Sequence, residues 1–243
     1  MITTAKELAA ACENVAKNYK TLYVMGCIGA PLTGANVETY CKNHSYNNQA
    51  TRTAMIKAVA NQNPPYYGFD CGCLIKALLW GWSGNPAKTY GGAGYAINGV
   101  PDLNADQMIK VCKDISTDFS NIAIGEAVWM EGHIGIYIGS GLAVECTPKW
   151  KNGVQITSCN RAISGYHRRN WKKHGKLPYV EYSVETVEKP QEAARPSTSK
   201  TVDELAREVI AGKWGNGSAR REKLTAAGYN ADAVQRRVNQ LLK

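Results

Sequence analysis

The spacing of hydrophobic residues along the first 180 positions changes near Gly125. Before that point, apolar residues recur three and four positions apart, which is typical of helices with one buried face. The helices predicted in this way cover 4–17, 36–42, 51–60, 71–80 and 107–112. After Gly125 apolar and polar residues alternate, which predicts strands. These predicted strands cover 127–130, 134–138, 142–146 and 154–157. Helices followed by an antiparallel sheet indicate the α+β class.

The composition changes after Tyr182. Residues 185–200 are polar, charged and contain two prolines, which favours a linker. Residues 201–243 return to helical spacing and predict a bundle of three short helices around a marginal core. We therefore expect a domain at 1–184, a linker at 185–200 and a small three-helix domain at 201–243.

The chain of 243 residues has a net charge of +9 that no compact basic block produces. A diffuse positive charge suits an acidic polymer, of which nucleic acid and anionic cell-wall polymers are two. The sequence contains no run of about 18 apolar residues, so no membrane span is predicted. Charged residues interrupt the first 20 positions, so we expect no secretory signal and synthesis in a cytoplasm.

Eight cysteines are spread over the first 160 residues. None forms a Cys-x-x-Cys pair, and Cys71 and Cys73 have no partner pair at zinc-finger spacing. Without a secretory signal we expect free thiols. A zinc site built from Cys41, His44 and a distant pair is the alternative, but the prediction is that no metal or other cofactor is needed.

Cys71 opens the strongest of the predicted helices. Pro64, Pro65 and Gly68 bring the chain in as a turn or extended segment, and Asp70 stands where an N-cap carboxylate would stand. Backbone N–H groups and the helix dipole favour a thiolate at such a position, so we expect a lowered pKa and a nucleophilic cysteine. A buried structural cysteine is the alternative.

A histidine and a glutamate fall on neighbouring predicted strands. Side chains alternate along a strand, so His133 and Gly135 share a face opposite the isoleucines that follow them. If residues 139–141 form a three-residue loop, Gly135 pairs with Glu145, and Glu145 lies diagonally across from His133. Such a carboxylate could orient an imidazole that activates a thiol. A two-residue loop would place Glu145 on the wrong face.

The remaining histidines are predicted to have no catalytic part. His44 lies in an Asn-rich loop, and His167 and His174 lie in a basic segment that we interpret as solvated surface. The other members of that segment are Arg168, Arg169, Lys172 and Lys173. Glu126 opens a strand and is interpreted as a turn or structural carboxylate.

Three segments of the first domain resemble the papain-like cell-wall amidohydrolases of the NlpC and CHAP types. They are 69–74 (Phe-Asp-Cys-Gly-Cys-Leu), 125–128 (Gly-Glu-Ala-Val) and 132–139 (Gly-His-Ile-Gly-Ile-Tyr-Ile-Gly). The resemblance implies a papain-like fold in which Cys71 is the nucleophile and His133 the base. Glu145 falls where these families place a third polar residue, often His in the NlpC type and Glu or Asn in the CHAP type, so the subfamily stays open.

The last 43 residues resemble the CW-seven wall-binding repeat of phage lysins. The resemblance rests on residues 202–206, 209–217, 220, 224, 227–229, 234–235 and 238–239. The resemblance implies binding to the muropeptide core of peptidoglycan. Because the sequence has one copy of the repeat, we expect modest affinity unless the protein forms a homo-oligomer. The predicted wall-binding residues are Trp214, Gly215, Asn216, Gly217, Arg220 and Tyr229. Trp214 could instead be a core residue.

Together these features predict a peptidoglycan hydrolase of the endolysin kind, released from the host cytoplasm to act at the bacterial wall. The preferred reaction is endopeptidase cleavage beside the D-glutamyl residue of the stem peptide. The alternatives are an N-acetylmuramoyl-L-alanine amidase and a non-catalytic wall-binding protein. Nucleic-acid binding has only the net charge in its favour and is not expected.

Overall fold

The first helix, α1 (Ala5–Asn18), begins at a capping box. The Thr4 hydroxyl accepts a hydrogen bond from the Glu7 N–H at 3.2 Å, and the Glu7 carboxylate accepts one from the Thr4 N–H at 3.0 Å. Two N–H groups that the helix cannot satisfy are thereby paired. The buried face of α1 includes Leu8 and Val15 and packs into the main core.

The computed structural model describes residues 1–182, 202–227, 229 and 231–242. The chain divides into two units, Met1–Val184 and Glu185–Lys243. The predicted linker at 185–200 lies outside the described residues. After α1, the helices of the first unit are α2 (Val37–Lys42), α3 (Ala50–Val59), α4 (Cys71–Leu79), α5 (Ala105–Val111) and a 3₁₀ turn (Phe119–Asn121).

The strands of the first unit form two sheets. In chain order they are β1 (Lys20–Tyr23), β2 (Ile28–Pro31), β3 (Tyr66–Phe69), β4 (Lys113–Ser116), β5 (Ala127–Met130), β6 (His133–Gly139), β7 (Leu142–Thr147), β8 (Gly153–Cys159), β9 (Arg168–Arg169) and β10 (Lys173–Lys176). The larger sheet has the order β4-β10-β5-β6-β7-β8-β9, and the smaller one has the order β1-β3-β2. Neighbours are antiparallel except for the pairs β1–β3 and β8–β9.

Helix α4 lies at the centre of the first unit, and all nine of its residues are buried. It packs on strands β6 and β7 of the large sheet, on β2 of the small sheet and on α1 and α5. A short helix buried on every side must be predominantly apolar, and α4 follows that rule with Leu74, Ile75, Leu78 and Leu79. Its first residue, Cys71, is thereby placed against the start of β6.

The α+β prediction is confirmed, and each of the four predicted strands is present to within two residues at either end. The segment between α4 and α5 has neither helix nor strand. Pattern reasoning missed β1, β2, β3, β4, β9 and β10. Each of these has four residues or fewer, too short for a period to be visible.

The second unit consists, in its described residues, of α6 (Val202–Ile210), α7 (Gly217–Ala226) and α8 (Ala231–Leu241). Its core is small, as expected for a segment of this length. The buried residues are Leu205, Ala206, Val209, Leu224, Val234 and Val238. Among the described residues of the whole chain, none of the helices is both long and apolar enough to cross a lipid bilayer.

Candidate active site

The position of Cys71 is fixed by the carboxylate before it. Asp70 is the N-cap of α4, and its Oδ1 accepts a hydrogen bond from the Cys73 N–H at 2.6 Å. The other oxygen, Oδ2, accepts one from the Gly26 N–H at 2.8 Å in the β1–β2 connection. The predicted cap is therefore present and also ties α4 to the small sheet.

The thiol of Cys71 points at the beginning of β6. Its Sγ lies 4.0 Å from the Gly132 carbonyl oxygen, and the Ile134 N–H also interacts with it. These two groups flank His133 in the chain, so the sulfur lies against the backbone on both sides of that histidine. Cys71 is only 8% exposed.

The expectation of a lowered pKa at Cys71 is wrong. The pKa of this thiol is raised to about 12, chiefly by burial and in addition by the negative charge of Asp70. The backbone N–H groups of Ile134, Gly72 and Cys71 lower the pKa, but by less. The desolvation of a charged sulfur outweighs the helix terminus because α4 starts inside the core rather than at its surface.

His133 is held by contacts on two sides. Its Nε2 is 2.7 Å from Glu145 Oε2, and its ring stacks on the Trp171 indole with centroids 5.4 Å apart and planes 5° apart. Within the described part of the chain, Nδ1 has no hydrogen-bond partner. The imidazole therefore has one nitrogen committed to a carboxylate, while the other is free to accept a proton.

The β6–β7 hairpin has the predicted pairing at its centre but not at its turn. Gly135 pairs with Glu145 as predicted, whereas Leu142 pairs with Gly139 rather than with Ile138. The turn has two residues, Ser140 and Gly141, both with positive φ, which is the preferred geometry for two-residue hairpins. An irregularity between Tyr137 and Gly139 restores the parity that a two-residue loop alone would reverse.

Glu145 is completely buried and is surrounded by donors. Besides His133, the Thr157 hydroxyl donates to Oε1 at 2.7 Å, and the Arg169 Nε donates to both oxygens at 3.0 Å. Burial raises the pKa of Glu145, but the hydrogen bonds and charges of His133 and Arg169 lower it by more, so the net direction is downward. The carboxylate is therefore ionised at neutral pH.

The interpretation of the segment 167–174 as solvated surface is wrong at two positions. Arg169 is 7% exposed and binds Glu145, while its neighbour Arg168 is exposed. His174 is 4% exposed, and its Nδ1 is paired with Glu126 while its Nε2 is 2.9 Å from the Asp118 carbonyl oxygen. Pattern reasoning missed Arg169 because its pairing depends on the two-residue strand β9 beside β8, which leaves no local periodicity.

A cavity of about 410 Å³ opens beside Cys71, within the size range of ligand sites. It is lined by α4, by the β1–β2 connection and by the segment that enters α5. Its charged lining residues are Asp70 and an ion pair between the buried Lys76 and the exposed Asp102. The second carboxylate oxygen of Asp102 accepts a hydrogen bond from the Tyr95 hydroxyl at 2.8 Å. The thiol therefore faces a polar cleft.

The predicted wall-binding residues lie around α7 in the second unit. Trp214 is half-buried and packs against the core of this unit. Its ring makes an edge-to-face contact with Tyr229, and its Nε1–H donates a hydrogen bond to the Glu208 carboxylate at 3.0 Å. Gly215 and Gly217 have φ of +76° and +61° on either side of the exposed Asn216. Arg220 donates to the Gln235 side chain at 2.6 Å.

All eight cysteines are free and buried. Within the described ranges, no group of three or more His, Cys, Asp or Glu side chains has the geometry to hold a metal ion. The alternative zinc site at Cys41 and His44 therefore receives no support from the described residues.

Comparison with known proteins gives a family match, a sequence relative and a similar solved structure. Residues 203–242 match the family model of the CW_7 repeat, so the resemblance of the C-terminal segment is confirmed. A "Lysozyme" of Streptococcus phage Cp-7 is 43% identical over 54 residues, which are 22% of this chain and 16% of the length of that relative. The P60 domain of an antigen from M. avium subspecies paratuberculosis is similar with a TM-score of 0.38 and 15% identity, covering 73% of this chain and 96% of that one.

Proposed function

We propose that this protein is a peptidoglycan hydrolase of the endolysin kind, with a thiol nucleophile in the first unit and a wall-binding repeat in the second. The observation that carries the proposal is the His133–Glu145 contact at 2.7 Å, with the Cys71 thiol against the backbone on both sides of His133. The CW_7 match and the phage relative support the wall as the place of action.

In the proposed reaction, the Cys71 sulfur attacks an amide carbonyl of the stem peptide while Nδ1 of His133 takes the thiol proton. Glu145 keeps the ring oriented through Nε2 and stabilises the imidazolium that forms. The backbone N–H of Cys71 is a candidate donor to the oxyanion. The imidazolium then protonates the leaving amine, and water, deprotonated by His133, hydrolyses the thioester and regenerates the thiol.

The raised pKa of Cys71 gives His133 a particular task. A thiol with a pKa of about 12 is almost entirely protonated at neutral pH. The nucleophile is therefore generated when the proton passes to His133, rather than being present as a resting thiolate. The acid limb of the pH–rate profile should accordingly report the titration of His133.

The Cys71→Ala variant tests the nucleophile. It should abolish the turbidity loss of purified cell walls, at least 10³-fold, because no other group can form the acyl intermediate. Cys112→Ala, which removes another buried thiol with a pKa raised to about 12, is the matched control and should retain lysis. Both variants should still sediment with walls. Full lysis by Cys71→Ala would reject the assignment, and a wild-type protein that binds walls without lysing them would favour the non-catalytic alternative.

Product analysis decides which bond is cut. We favour an endopeptidase that cuts beside the D-glutamyl residue, so mass spectrometry of digested walls should show new amino termini within the stem peptide. An N-acetylmuramoyl-L-alanine amidase would instead release intact stems from muramic acid. Products of the second type alone would replace the endopeptidase proposal with the amidase.

A further inference from the structure

Arg169 is the feature of the site that the proposed mechanism does not yet use. Its Nε donates to both oxygens of Glu145 at 3.0 Å, and its Nη2 also reaches Thr147 Oγ1 at 3.2 Å. The guanidinium is 7% exposed and the carboxylate is fully buried. An arginine–carboxylate pair with several N–H donors fixes the orientation of the carboxylate as well as neutralising its charge. Among the cationic side chains, only arginine provides this planar set of donors.

Two tryptophans hold the guanidinium in place. It lies 4.7 Å from the ring centroid of Trp150 and 6.0 Å from that of Trp171. Trp171 is also the ring on which His133 stacks. The same indole therefore contacts both basic side chains that pair with Glu145, and movement of Arg169 would be transmitted to the imidazole by packing as well as by charge.

The charges around Glu145 would be unbalanced without Arg169. Among the described residues, Arg169 is the permanently charged cation in contact with this carboxylate, and His133 is its other basic partner. If Arg169 were absent, a buried carboxylate would have imidazolium as its one available counter-charge, and His133 would hold its proton more tightly. A histidine that is protonated at neutral pH cannot serve as the base for a thiol.

Other titratable groups near His133 belong to separate elements. Asp70 and Cys71 approach from the start of α4, and Asp106 in α5 accepts a hydrogen bond from the Gly132 N–H at 2.9 Å. Glu131 is exposed in the β5–β6 turn. Substitution of Arg169 leaves these four side chains unchanged, so a change in the titration of His133 can be attributed to the missing guanidinium.

We propose that Arg169 is a positioning residue that neutralises Glu145, so that this carboxylate orients His133 while the imidazole remains unprotonated and able to accept the Cys71 proton. The proposal rests on the proposed function and assigns Arg169 a role in setting the base. A purely structural arginine would hold β9 against β8 without influencing the proton affinity of His133.

The experiment is an NMR titration of His133, assigned with a His133→Gln variant, combined with the pH profile of wall lysis. In Arg169→Met the titration midpoint of His133 should rise by at least one pH unit, and the acid limb of lysis should move with it. In Glu145→Gln the unbalanced guanidinium should lower the midpoint. In Glu145→Gln/Arg169→Met the midpoint should lie between those two, and Arg169→Lys should restore part of the wild-type value.

Arg168→Met is the matched control, because Arg168 is the exposed neighbour of Arg169 on the same strand. It should leave the midpoint and the lysis profile unchanged. An unchanged His133 midpoint in folded Arg169→Met would overturn the proposal. If Arg169→Met does not fold, the comparison is between Glu145→Gln and the double variant. The proposal is then overturned when the His133 midpoint in Glu145→Gln is equal to or above the midpoint in the double variant.

The two proposals fail in distinguishable ways. Lysis that survives in Cys71→Ala removes the proposed function but leaves the NMR result standing. An unshifted midpoint with normal sensitivity to Cys71→Ala removes the role of Arg169 and leaves the hydrolase intact.

Discussion

At the residue scale, the chemistry of the candidate site is decided by burial. Cys71 and Glu145 are both removed from water, yet their pKa values move in directions that favour opposite charge states. Burial and the neighbouring Asp70 carboxylate disfavour the thiolate, so the pKa of the thiol rises. The carboxylate has His133 and Arg169, so its pKa falls despite complete burial. The candidate site therefore contains a neutral thiol and a charged carboxylate.

The lowered pKa of Glu145 predicts a specific loss of stability in acid. Because the folded-state pKa lies below the unfolded value of about 4.3, Glu145 contributes stability at pH values above 4.3 and loses it as the pH falls through the folded-state pKa. Glu145→Gln should cost about 3 kcal/mol at pH 7, since it leaves a buried guanidinium unpaired. It should also show a smaller drop in unfolding free energy between pH 6 and pH 3 than the wild type.

Urea unfolding monitored at several pH values checks this prediction. Lys17 and Glu13 form an exposed ion pair on α1, so Glu13→Gln is the control and should change stability by less than about 1 kcal/mol. Parallel acid dependence in Glu145→Gln and the wild type would contradict the expected linkage.

At the scale of the elements, the β6–β7 hairpin determines whether the site exists. Its two-residue turn alone would send Glu145 to the opposite face, and the irregularity before Gly139 brings it back. Position 135 is equally constrained. A Cβ there would lie 2.6 Å from the Val144 carbonyl oxygen and 3.2 Å from the Trp171 ring, so the indole fills the space above the glycine.

Gly135→Ala should therefore destabilise the protein by about 2–3 kcal/mol, because overpacking in a rigid sheet forces neighbours to move. It should also push Trp171 away from His133 and reduce lysis more than the loss of stability alone explains. Thermal unfolding and wall lysis of the folded variant measure the two effects separately.

Gly132→Ala is the control for Gly135→Ala. A Cβ at position 132 would meet nothing within 4 Å, although its φ of +67° makes the substitution mildly strained. It should cost about 1 kcal/mol. Equal effects of the two substitutions would show that the indole does not limit position 135.

At the scale of the whole molecule, the chain combines a proposed catalytic unit with one wall-binding repeat. Single-copy binding modules gain no avidity within one chain, so the affinity for the wall depends on the individual contacts of one repeat unless chains self-associate. Arg220 is the charged member of the predicted wall-binding set, and it is oriented by Gln235, which in turn donates to Asn239 at 2.8 Å.

Arg220→Ala should weaken sedimentation with purified walls by about tenfold, equivalent to about 1.4 kcal/mol, because arginine often dominates small recognition surfaces. Cleavage of a soluble stem peptide should not change. Arg236→Ala removes the same charge from an exposed position on α8 and should leave wall binding within about twofold of the wild type. Equal losses in the two variants would indicate that net charge, rather than a site at Arg220, governs wall binding.

The sequence by itself determined the features that depend on local rules. These features are the cap at Asp70, the start of α4 at Cys71 and the alternation that places His133 and Gly135 on one face. Each follows from residues that lie close together in the chain. The wall-binding repeat was recognised for a similar reason, since its signature lies within 40 consecutive residues.

Only the tertiary structure decided the electrostatics of the site. The raised pKa of Cys71 depends on how deeply α4 is buried, and the charge of Glu145 depends on Arg169, which is 24 residues further along. Arg168 and Arg169 are the same residue type at adjacent positions, and one is solvated while the other lies in the core. Local pattern cannot separate them, because the desolvation and pairing of a charge are set by elements distant in sequence.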